Sequence, residues 1–408
     1  MHNRTNAQDP NTSSKTAERA GFAILPKRLS TKAPLAMIGC LALLATVIGV
    51  TSTIVVEDAL VGHETAQLQA TAHSRAAEVD AYLESIGQDM RILANDPQVA
   101  RAIASLSNAF SGYGDKARQE LQRQYIVENP HPVGEKDKLD AAQEQSFYND
   151  FHASFHPVFR NFLRERAYYD IFLINPKGDV VYTVFKEADY ATNLMTGQWR
   201  DTGLARMFRS AIDIGVKGGL TFSDFEAYAP SNGAPASFVA IPVVSGGEVV
   251  GVLAAQMPVD RIASVLDRDS DLGAMGEIYL VGSDGLLRSD SRFTSDLDIL
   301  KTRVDLPSLD QVMAGEEIVG SATDVSGEPL VVAMSPIDAL GAPWAVVARM
   351  SEGEIMAPVR DLRNTIIGIA AACVVVIGAL AVLVSRKVTR RVALLTSTVQ
   401  SLANGANG

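Results

Sequence analysis

Two long apolar runs, one near each end, constrain this 408-residue chain more than any other feature. Residues 33–56 read APLAMIGCLALLATVIGVTSTIVV and residues 366–384 read IIGIAAACVVVIGALAVLV, and neither run contains a charged residue. A helix needs about 20 apolar residues to cross a bilayer core. Both runs are therefore predicted to span a membrane. The first is predicted to stay as an anchor, because no clear small-x-small cleavage site follows it.

Basic residues flank each run on the side away from the intervening segment. Lys and Arg near the ends of a span stay in the cytoplasm. Both termini are therefore predicted to be cytoplasmic, and residues 57 to about 364 to lie outside the cell (inner) membrane. The flanking residues are Arg4, Lys15, Arg19, Lys27, Arg28 and Lys32 before the first run, and Arg386, Lys387, Arg390 and Arg391 after the second.

The segment between the runs is acidic and lacks cysteine. The whole chain has 47 Asp and Glu against 36 Lys and Arg, and ten of the basic residues flank the runs. This charge argues against nucleic acid or an anionic lipid surface as a partner. Cys40 and Cys373 both lie inside the runs. The exported segment is therefore predicted to contain no disulfide, zinc cluster or thiol nucleophile.

Beyond the first run, the sequence predicts three helices. Apolar residues from Val79 to Leu93 recur at helical spacing, and Asp96-Pro97 is predicted to end this long helix and start the next. The stretch SFYNDFHASFHPVFRNFLRERAYY predicts another helix, with a kink or break at Pro157. Its predicted apolar stripe consists of Phe147, Phe151, Phe155, Phe159 and Phe162.

A pattern of strands then occurs twice. Residues 168–190, YYDIFLINPKGDVVYTVFKEADY, predict a hairpin around an Asn-Pro-Lys-Gly turn, followed by a short helix and three more strands. EIYLVGSDGLLRSDSRF, from Glu277, repeats the hairpin, and EPLVVAMSPIDALGAPWAVVARM repeats the later strands, with Pro336 in the place of Pro242. This repetition predicts two similar modules in tandem.

The predicted fold class is α+β, with long membrane-proximal helices and two tandem PAS-like antiparallel-sheet modules between two transmembrane helices. Residues 260–271 are predicted to connect the two modules. The predicted parts are a cytoplasmic tail (1–32), a transmembrane helix (33–56), a long helical stalk (57–164), a membrane-distal module (165–260), a membrane-proximal module (261–363), a transmembrane helix (364–385) and the start of a linker (386–408).

Together these parts resemble bacterial chemoreceptors and related transmembrane sensors with a double Cache domain. RRVALLTSTVQSLANG resembles the first helix of a HAMP linker. HPVGEKDKL, YYDIFLI, VVYTVFKEADYATNL and FSDFEAYAPSNGAPASF resemble a subgroup of methyl-accepting chemotaxis proteins. The resemblance covers nearly all of residues 33–405. It implies a homodimeric sensor that binds a small molecule outside the membrane and signals through its second span.

In such receptors the membrane-distal module binds the ligand on one face of its sheet. The resemblance places contacts at Trp199, Arg200, Asp224, Tyr228 and Gln256. Amino-acid-binding members use Arg-x-Trp, a Tyr on the third strand, and an Asp at the end of the final strand that pairs with the ligand ammonium. Here Trp199-Arg200 stand in the other order, and Gln256 replaces the Asp. Because Gln cannot supply the negative charge that a buried ammonium needs, the sequence argues against an amino-acid ligand.

The residues themselves suggest a carboxylate-bearing ligand. Arg200 beside Trp199 could bind a carboxylate through two hydrogen bonds, with Lys186 as a second cation near the same rim. The alternative for Arg200 is a surface ion pair with Asp201.

Two further pairs of residues come from spacing alone. Asp224 and Tyr228, four apart on a predicted strand, are expected to face the same side. His152 and His156, four apart on a helix, have a spacing compatible with a metal, but no third ligand is evident and helix packing is the favoured interpretation.

No catalytic motif is present, so the chain is predicted to be neither an enzyme nor a cofactor- or metal-binding protein. It stops inside the linker, so the cytoplasmic signalling module (methyl-accepting region, kinase or cyclase) is expected outside this sequence. The small residues Gly368, Ala370, Ala371, Ala372 and Gly378 are expected to allow close packing of the second span. Three alternatives stay open: the sensor of a histidine kinase or nucleotide cyclase, a membrane-anchored exported enzyme, and a non-signalling ligand trap or assembly partner.

The predicted topology can be tested by labelling. Single cysteines placed between residues 57 and 364 should react with a membrane-impermeant reagent added to intact cells, or to protoplasts where an outer wall blocks entry. Cysteines placed after residue 386 should react only after lysis. Protection of the 57–364 positions in protoplasts would contradict the topology.

Overall fold

The computed structural model describes residues 27–267, 272, 276–292, 299–323 and 327–405. The chain divides into two units: one comprises Ala59–Ala357, and the other comprises the residues up to Asp58 together with those from Pro358. The predicted tail up to residue 26 and the connector residues 268–271 lie outside the described residues.

The described residues form helices and two antiparallel sheets, which confirms the α+β prediction. The helices are α1 (Lys27–Ala94), α2 (Pro97–Ser111), α3 (Ala117–Gln122), α4 (Phe147–Arg166), α5 (Gly203–Ile214), α6 (Val259–Leu266), α7 (Leu309–Met313), α8 (Glu352–Ile355) and α9 (Ala357–Gly405). The strands are β1 (Asp170–Ile174), β2 (Val180–Thr183), β3 (Thr221–Tyr228), β4 (Ala234–Ser245), β5 (Glu248–Gln256), β6 (Glu277–Gly282), β7 (Ile318–Thr323), β8 (Pro329–Ala339) and β9 (Ala342–Ser351).

The two sheets share one order of strands. The first module, built on β1–β5, has the order β2-β1-β5-β4-β3, and the second, built on β6–β9, has the order β6-β9-β8-β7. In both, the first strand pairs with the last strand of its own module. Pro242 and Pro336 also occupy matching places, opposite Val252 on β5 and Ala345 on β9. The predicted tandem repeat is therefore present as two similarly ordered sheets.

The second module departs from the predicted repeat after its first strand. A second strand was expected to follow the turn at Gly285, but among the described residues only the isolated bridges Val281↔Leu287 and Leu286↔Arg303 occur there. Pairing with β6 is short here: the Gly282 amide donates to Leu286 O and the Arg288 amide donates to Leu280 O, while the Leu287 amide donates to Thr302 O on the other side. Residues 293–298, also part of this region, lie outside the described residues.

The first sheet is buried on both faces. On one face, α2 and α4 pack in a cluster that also contains residues of α1. The other face is covered by α5, whose Leu204 and Phe208 pack with Phe172 and Phe238 of the sheet. Helix α2 begins as predicted, since the Asp96 side chain accepts a hydrogen bond of 2.8 Å from the Gln98 amide and Pro97 is its first residue. Much of the predicted stalk is therefore the helical layer of the first module.

Helix α4 differs from the sequence prediction in two respects. It continues through Pro157 without a break. The predicted stripe is also wrong at its start, because Phe147 is 79% exposed. The buried side chains are Tyr148, Asn149, His152, His156, Phe159 and Leu163. Loop and strand groups supply hydrogen-bond partners to these polar residues, which helical periodicity alone does not reveal, although His152 Nε2 has no partner among the described residues.

The other unit contains the apolar runs. Within Ala36–Ala94 and Glu352–Val388, two helices are long and apolar enough to cross a membrane, with mean hydropathies of 2.2 and 3.0. Their apolar segments contact each other at small residues: Gly49 lies against Ile366, and Gly378 lies against Ile38. This contact has the character expected of packing between spans, where small residues allow close approach.

Gly251 offers a test of how α2 packs on the first sheet. A Cβ at this position would lie 2.5 Å from the Ile174 carbonyl oxygen and 2.7 Å from Ile103 Cγ2. Gly251→Ala should therefore lower stability by roughly 1–3 kcal/mol through overpacking. Gly320→Ala is the control, since nothing lies within 4 Å of a Cβ there. Equal melting temperatures for the two variants would contradict this packing.

Candidate ligand-binding site

Buried polar side chains meet where β1 begins and β5 ends. Asp170 and Gln256 are direct partners in the β1–β5 ladder, and Gln256 also lies opposite Phe238 on β4. Asp170 and Gln256 are both buried, yet Asp170 Oδ2 and Gln256 Oε1 have no hydrogen-bond partner among the described residues. Buried polar atoms are nearly always paired, so two unpaired acceptors on facing residues mark this end of the sheet.

The Asp170 carboxyl is held rigidly through its other oxygen. Oδ1 accepts from the amides of Ile171 at 2.7 Å, Val184 at 2.8 Å and Phe185 at 3.2 Å. Burial, together with the neighbouring carboxyls of Asp189 and Glu187, raises the pKa of Asp170 well above its usual range. The free oxygen is thus part of a group that binds a donor or a proton readily.

Asp189 is a second buried carboxyl beside the first. Its Oδ2 accepts a 2.6 Å hydrogen bond from the Tyr228 hydroxyl, and its Oδ1 has no partner. Burial raises the pKa of Asp189 to about 7, although the Tyr228 hydrogen bond opposes the rise. Tyr228 is itself fixed by edge-to-face packing on Phe238, with ring centroids 4.8 Å apart. Asp189 therefore supplies a second rigid carboxyl with a free oxygen.

Lys186 lies in a buried cage of aromatic rings. Its Nζ is 4.5 Å from the centre of the Tyr182 ring and 5.4 Å from that of Tyr190. Nζ also donates to the carbonyl oxygens of Thr183 and Val184. Burial lowers the pKa of Lys186 to about 7, and the Asp170 carboxylate opposes this change. The backbone of Lys186 adopts a positive φ of 58°, which is uncommon for a residue with a side chain.

The two histidines of α4 belong to the wall behind Lys186. His156 Nδ1 lies 2.7 Å from the Tyr182 hydroxyl and Nε2 lies 2.6 Å from Asp137 O, while His152 Nδ1 lies 2.6 Å from Asp140 O. Burial, followed by the charge of Lys186, lowers the pKa of His156 to about 2. Among the residues that the structure describes, no group of His, Cys, Asp and Glu has the geometry of a metal site. The histidines pack the helix, as the favoured interpretation expected.

A cleft of about 830 Å³ opens beside these groups. Lys186, Glu187, Ala188 and Gln256 line it on the side of the first sheet. Lys136 from the loop before α4, and Asp260 and Arg261 from α6, line other parts, together with apolar side chains that include Phe185, Tyr168 and Met257. Its volume lies within the range of small-molecule sites, which are mostly apolar with a few fixed polar groups.

The structure places four of the six predicted ligand contacts at or next to this cleft. Lys186 and Gln256 line it directly. Trp199 and Tyr228 bind the neighbouring residues Ala188 and Asp189. Trp199 Nε1 donates to Ala188 O at 3.2 Å, and the Tyr228 hydroxyl donates to Asp189.

Arg200 lies at the surface, with its side chain 58% exposed and Nε 3.6 Å from Asp201 Oδ2. This is the surface ion pair that the sequence left open as the alternative. Lys186, in turn, is buried and is not a rim cation as predicted.

The predicted direction of the Asp224 side chain on β3 is wrong. Asp224 and Tyr228 were expected to face the same side, but the β3–β4 register shifts between Ser223 and Glu226. A bulge of this kind reverses the alternation of side chains. Tyr228 consequently faces the α5 layer and Asp189, while Asp224 contacts Arg288 and Trp344 of the second module.

Sequence reasoning missed Asp170 and Asp189. Asp170 starts a strand whose next four residues are apolar, and this position is a usable signal, because a carboxyl at the end of a buried strand needs partners. Asp189 lies in an irregular segment, and no periodicity distinguishes it from a loop carboxylate. Only the tertiary structure, through the contact with Tyr228, 39 residues away in sequence, shows that it is buried.

The pH dependence of stability should report on Asp189. With a raised pKa in the folded state, the folded chain binds more protons than the unfolded chain between about pH 4 and pH 7, so stability falls as pH rises through that window. Asp189→Asn keeps an acceptor for Tyr228 and removes this loss. The variant should therefore gain stability relative to wild type from pH 5 to pH 8, by a few kcal/mol at most, since each pKa unit corresponds to about 1.4 kcal/mol.

Melting curves at several pH values measure this effect. Asp201→Asn is the matched control, because the Asp201 side chain is exposed. A difference between Asp189→Asn and wild type that stays constant from pH 5 to pH 8 would contradict the buried acid.

Comparisons with known proteins bear on the fold described above. The family model of the Cache domain, dCache_1, matches residues 56–359. No curated protein sequence matches the chain. Some solved structures are similar to the chain at low sequence identity. The ligand-binding domain of the Pseudomonas fluorescens chemoreceptor CtaA, in complex with L-isoleucine, is 15% identical with a TM-score of 0.41, covering 74% of this chain and 98% of that one.

Two further solved structures of ligand-binding or sensor domains are similar to the chain. The ligand-binding domain of the Pseudomonas aeruginosa amino-acid chemoreceptor PctC, in complex with GABA, is 16% identical with a TM-score of 0.39, covering 68% of this chain and 96% of that one. The sensor domain of the Vibrio cholerae histidine kinase DctB is 12% identical with a TM-score of 0.41, covering 71% and 97%. Since the family model spans both sheets and the helices around them, the chain belongs to the double Cache domain family of sensor domains.

Proposed function

We propose that this protein is a bacterial transmembrane chemoreceptor whose double Cache domain binds a small molecule outside the inner membrane. Two apolar helices flank the family match, and basic residues flank the apolar runs on their outer sides, which supports exposure of residues 57–364 outside the cytoplasm. The chain acts as a sensor and not as an enzyme. It works as a homodimer and passes its signal through the second span to a HAMP linker.

The observation that carries the proposal is a set of unpaired acceptors, of which Gln256 lines the cleft and Asp170 and Asp189 each follow a residue that lines it. Asp170 Oδ2, Asp189 Oδ1 and Gln256 Oε1 are buried without partners on neighbouring parts of one sheet end. Leaving a buried polar group unpaired costs about 1–3 kcal/mol, and more for a charged group. A ligand that donates hydrogen bonds to these atoms recovers this cost and therefore binds the folded domain selectively.

The charges of the cleft indicate the other end of the ligand. Among the described residues, the side chains of Lys136 and Arg261 have no ion-pair partner, and both line the cleft. Glu187, which also lines it, already accepts from Tyr169 and Ser231. A carboxylate near the two cations, joined to a hydroxyl or ammonium group near the acceptors, matches both ends. This assigns the carboxylate to Lys136 and Arg261, with Arg200 as the alternative.

The position of Asp170 supports an ammonium group as part of the ligand, against the argument from the sequence. Gln256 has no charge, but its cross-strand partner Asp170 has a carboxyl at the same end of the sheet. The negative charge that a buried ammonium needs is therefore available at Asp170 on β1, one strand away from Gln256 on β5. Hydroxy acids and amino acids are both proposed as ligand classes.

A thermal-shift screen of the full chain in lipid nanodiscs tests the proposal. Small hydroxy and amino carboxylates are the probes, because a ligand specific for the folded form raises the melting temperature. Lys136→Ala and Arg261→Ala should each at least halve the shift produced by a hit. Gln256→Ala should reduce it as well, since it removes an acceptor.

Arg200→Ala is the matched control for charge and should retain the full shift. Loss of the shift in Arg200→Ala, with retention in the other variants, would place the carboxylate at Arg200 and contradict the cleft. A screen in which no carboxylate produces a shift would contradict the proposed ligand class.

A further inference from the structure

Strand β3 carries a side chain out of the first module and into the second. The Asp224 carboxylate accepts from Arg288 Nε at 3.0 Å and Nη2 at 2.8 Å, and from Trp344 Nε1 at 3.1 Å. Arg288 lies after the turn that follows β6, and Trp344 lies in β9, so the three donor atoms belong to residues of the second module. A bidentate Arg–carboxylate pair is among the stronger and more directional polar contacts in proteins.

Other residues of the second module fix the position of the Arg288 side chain. Its side chain is only 4% exposed, and its Nη1 donates to Asp284 Oδ1 and Leu286 O at 3.0 Å each. A Cβ on Gly282 would overlap the guanidinium, so the small residue at the end of β6 leaves the space that Arg288 occupies. Contacts within the second module therefore fix the guanidinium independently of its contact with Asp224.

Aromatic packing lies on one side of the ion pair, and the Asp224 side chain is 31% exposed on the other. Trp344 is fully buried and stacks on Phe225 at 5.9 Å between ring centroids, while Phe222 contacts it edge-on at 6.0 Å. Phe222 and Phe225 flank Asp224 on β3. Because of the bulge between Ser223 and Glu226, three neighbouring β3 side chains reach the second module together.

The same strand ends in the candidate site. Four residues after Asp224, Tyr228 donates to Asp189, and Glu226, Ala227 and Tyr228 are all paired with β4. Glu226 also accepts from the Gly203 amide and pairs with Arg206, at the start of α5. The bulge is thus connected to the Asp189 carboxyl through a short, hydrogen-bonded stretch of strand.

We propose that Arg288 is a positioning residue for the ligand site of the other module. By holding Asp224, it fixes the position of β3 and with it the Tyr228 hydroxyl and the Asp189 carboxyl. The inference rests on the proposed function, because it assigns a regulatory contact to that same site. Linkage between the two is reciprocal, so ligand that orders Asp189 and Tyr228 strengthens the Asp224 contact by the same free energy.

Hydrogen exchange of the full chain in nanodiscs tests the inference without any ligand. Arg288→Met removes the donors, and Gly282→Ala displaces the guanidinium while keeping it. Both variants should raise amide exchange at 187–190 and 226–228 at least tenfold relative to the β5 amides of the same molecule. Using β5 as the internal reference separates a local effect from a general loss of stability.

Two controls match these variants. Gly320→Ala is a glycine change on the same sheet with open space around it. Arg349→Met removes another ion pair of the second module, between Arg349 and the buried Glu277. Neither should change exchange at 187–190 relative to β5. Equal effects of Arg288→Met and Arg349→Met on these amides would show a merely structural role and overturn the proposal.

A double-mutant cycle gives an independent readout. Tyr228→Phe and Arg288→Met should lower the melting temperature by less in combination than the sum of their separate effects, because the first change already releases β3 from Asp189. Tyr228→Phe combined with Arg349→Met should be additive. Additivity in both pairs would overturn the inference. Neither measurement uses a ligand, so its failure leaves the proposed ligand site untouched, and a negative ligand screen leaves the coupling intact.

Discussion

The pairing of β1 with β5 is the constraint on which the first module depends. It joins the β1–β2 hairpin at the start of the module to β5, the last of the three strands β3–β5, and so places β1 and β5 side by side in the interior of the sheet. Both faces of the sheet are then covered, by α2 and α4 on one side and α5 on the other. Because β1 and β5 are buried on both faces, any polar group at their ends must find a partner inside the protein or on a ligand.

Asp170 and Gln256 show how this constraint generates a site. They are neighbours only because the ladder sets them opposite each other, and Gln256 lines a cleft of about 830 Å³. The surroundings are rigid: three amides hold Asp170, a tyrosine holds Asp189, and an aromatic cage encloses Lys186. Rigid acceptors lower the ordering cost of binding, which is the general advantage of preorganised sites.

The bulge in β3 gives this site a connection to the rest of the sensor domain. Without it, strict alternation would direct Asp224 and Tyr228 to one face. With it, Tyr228 serves the site and Asp224 reaches Arg288. One strand therefore touches both modules. This arrangement suits a sensor, because a ligand shifts a conformational equilibrium only through contacts that differ between states.

The amino-acid sequence by itself determined the apolar spans, the α+β class, the tandem repeat of strands and the start of α2, because each depends on local composition, periodicity or capping. It also predicted ligand contacts at Gln256 and Tyr228 through resemblance to a family, and at Lys186 through its charge. Only the tertiary structure decided that Lys186, Asp170 and Asp189 are buried, that α4 buries the face that contains its histidines, and that Asp224 and Tyr228 point in opposite directions. Each of these depends on a partner far away in the chain, and a hydrogen bond or register shift between distant segments leaves no periodic trace in the sequence.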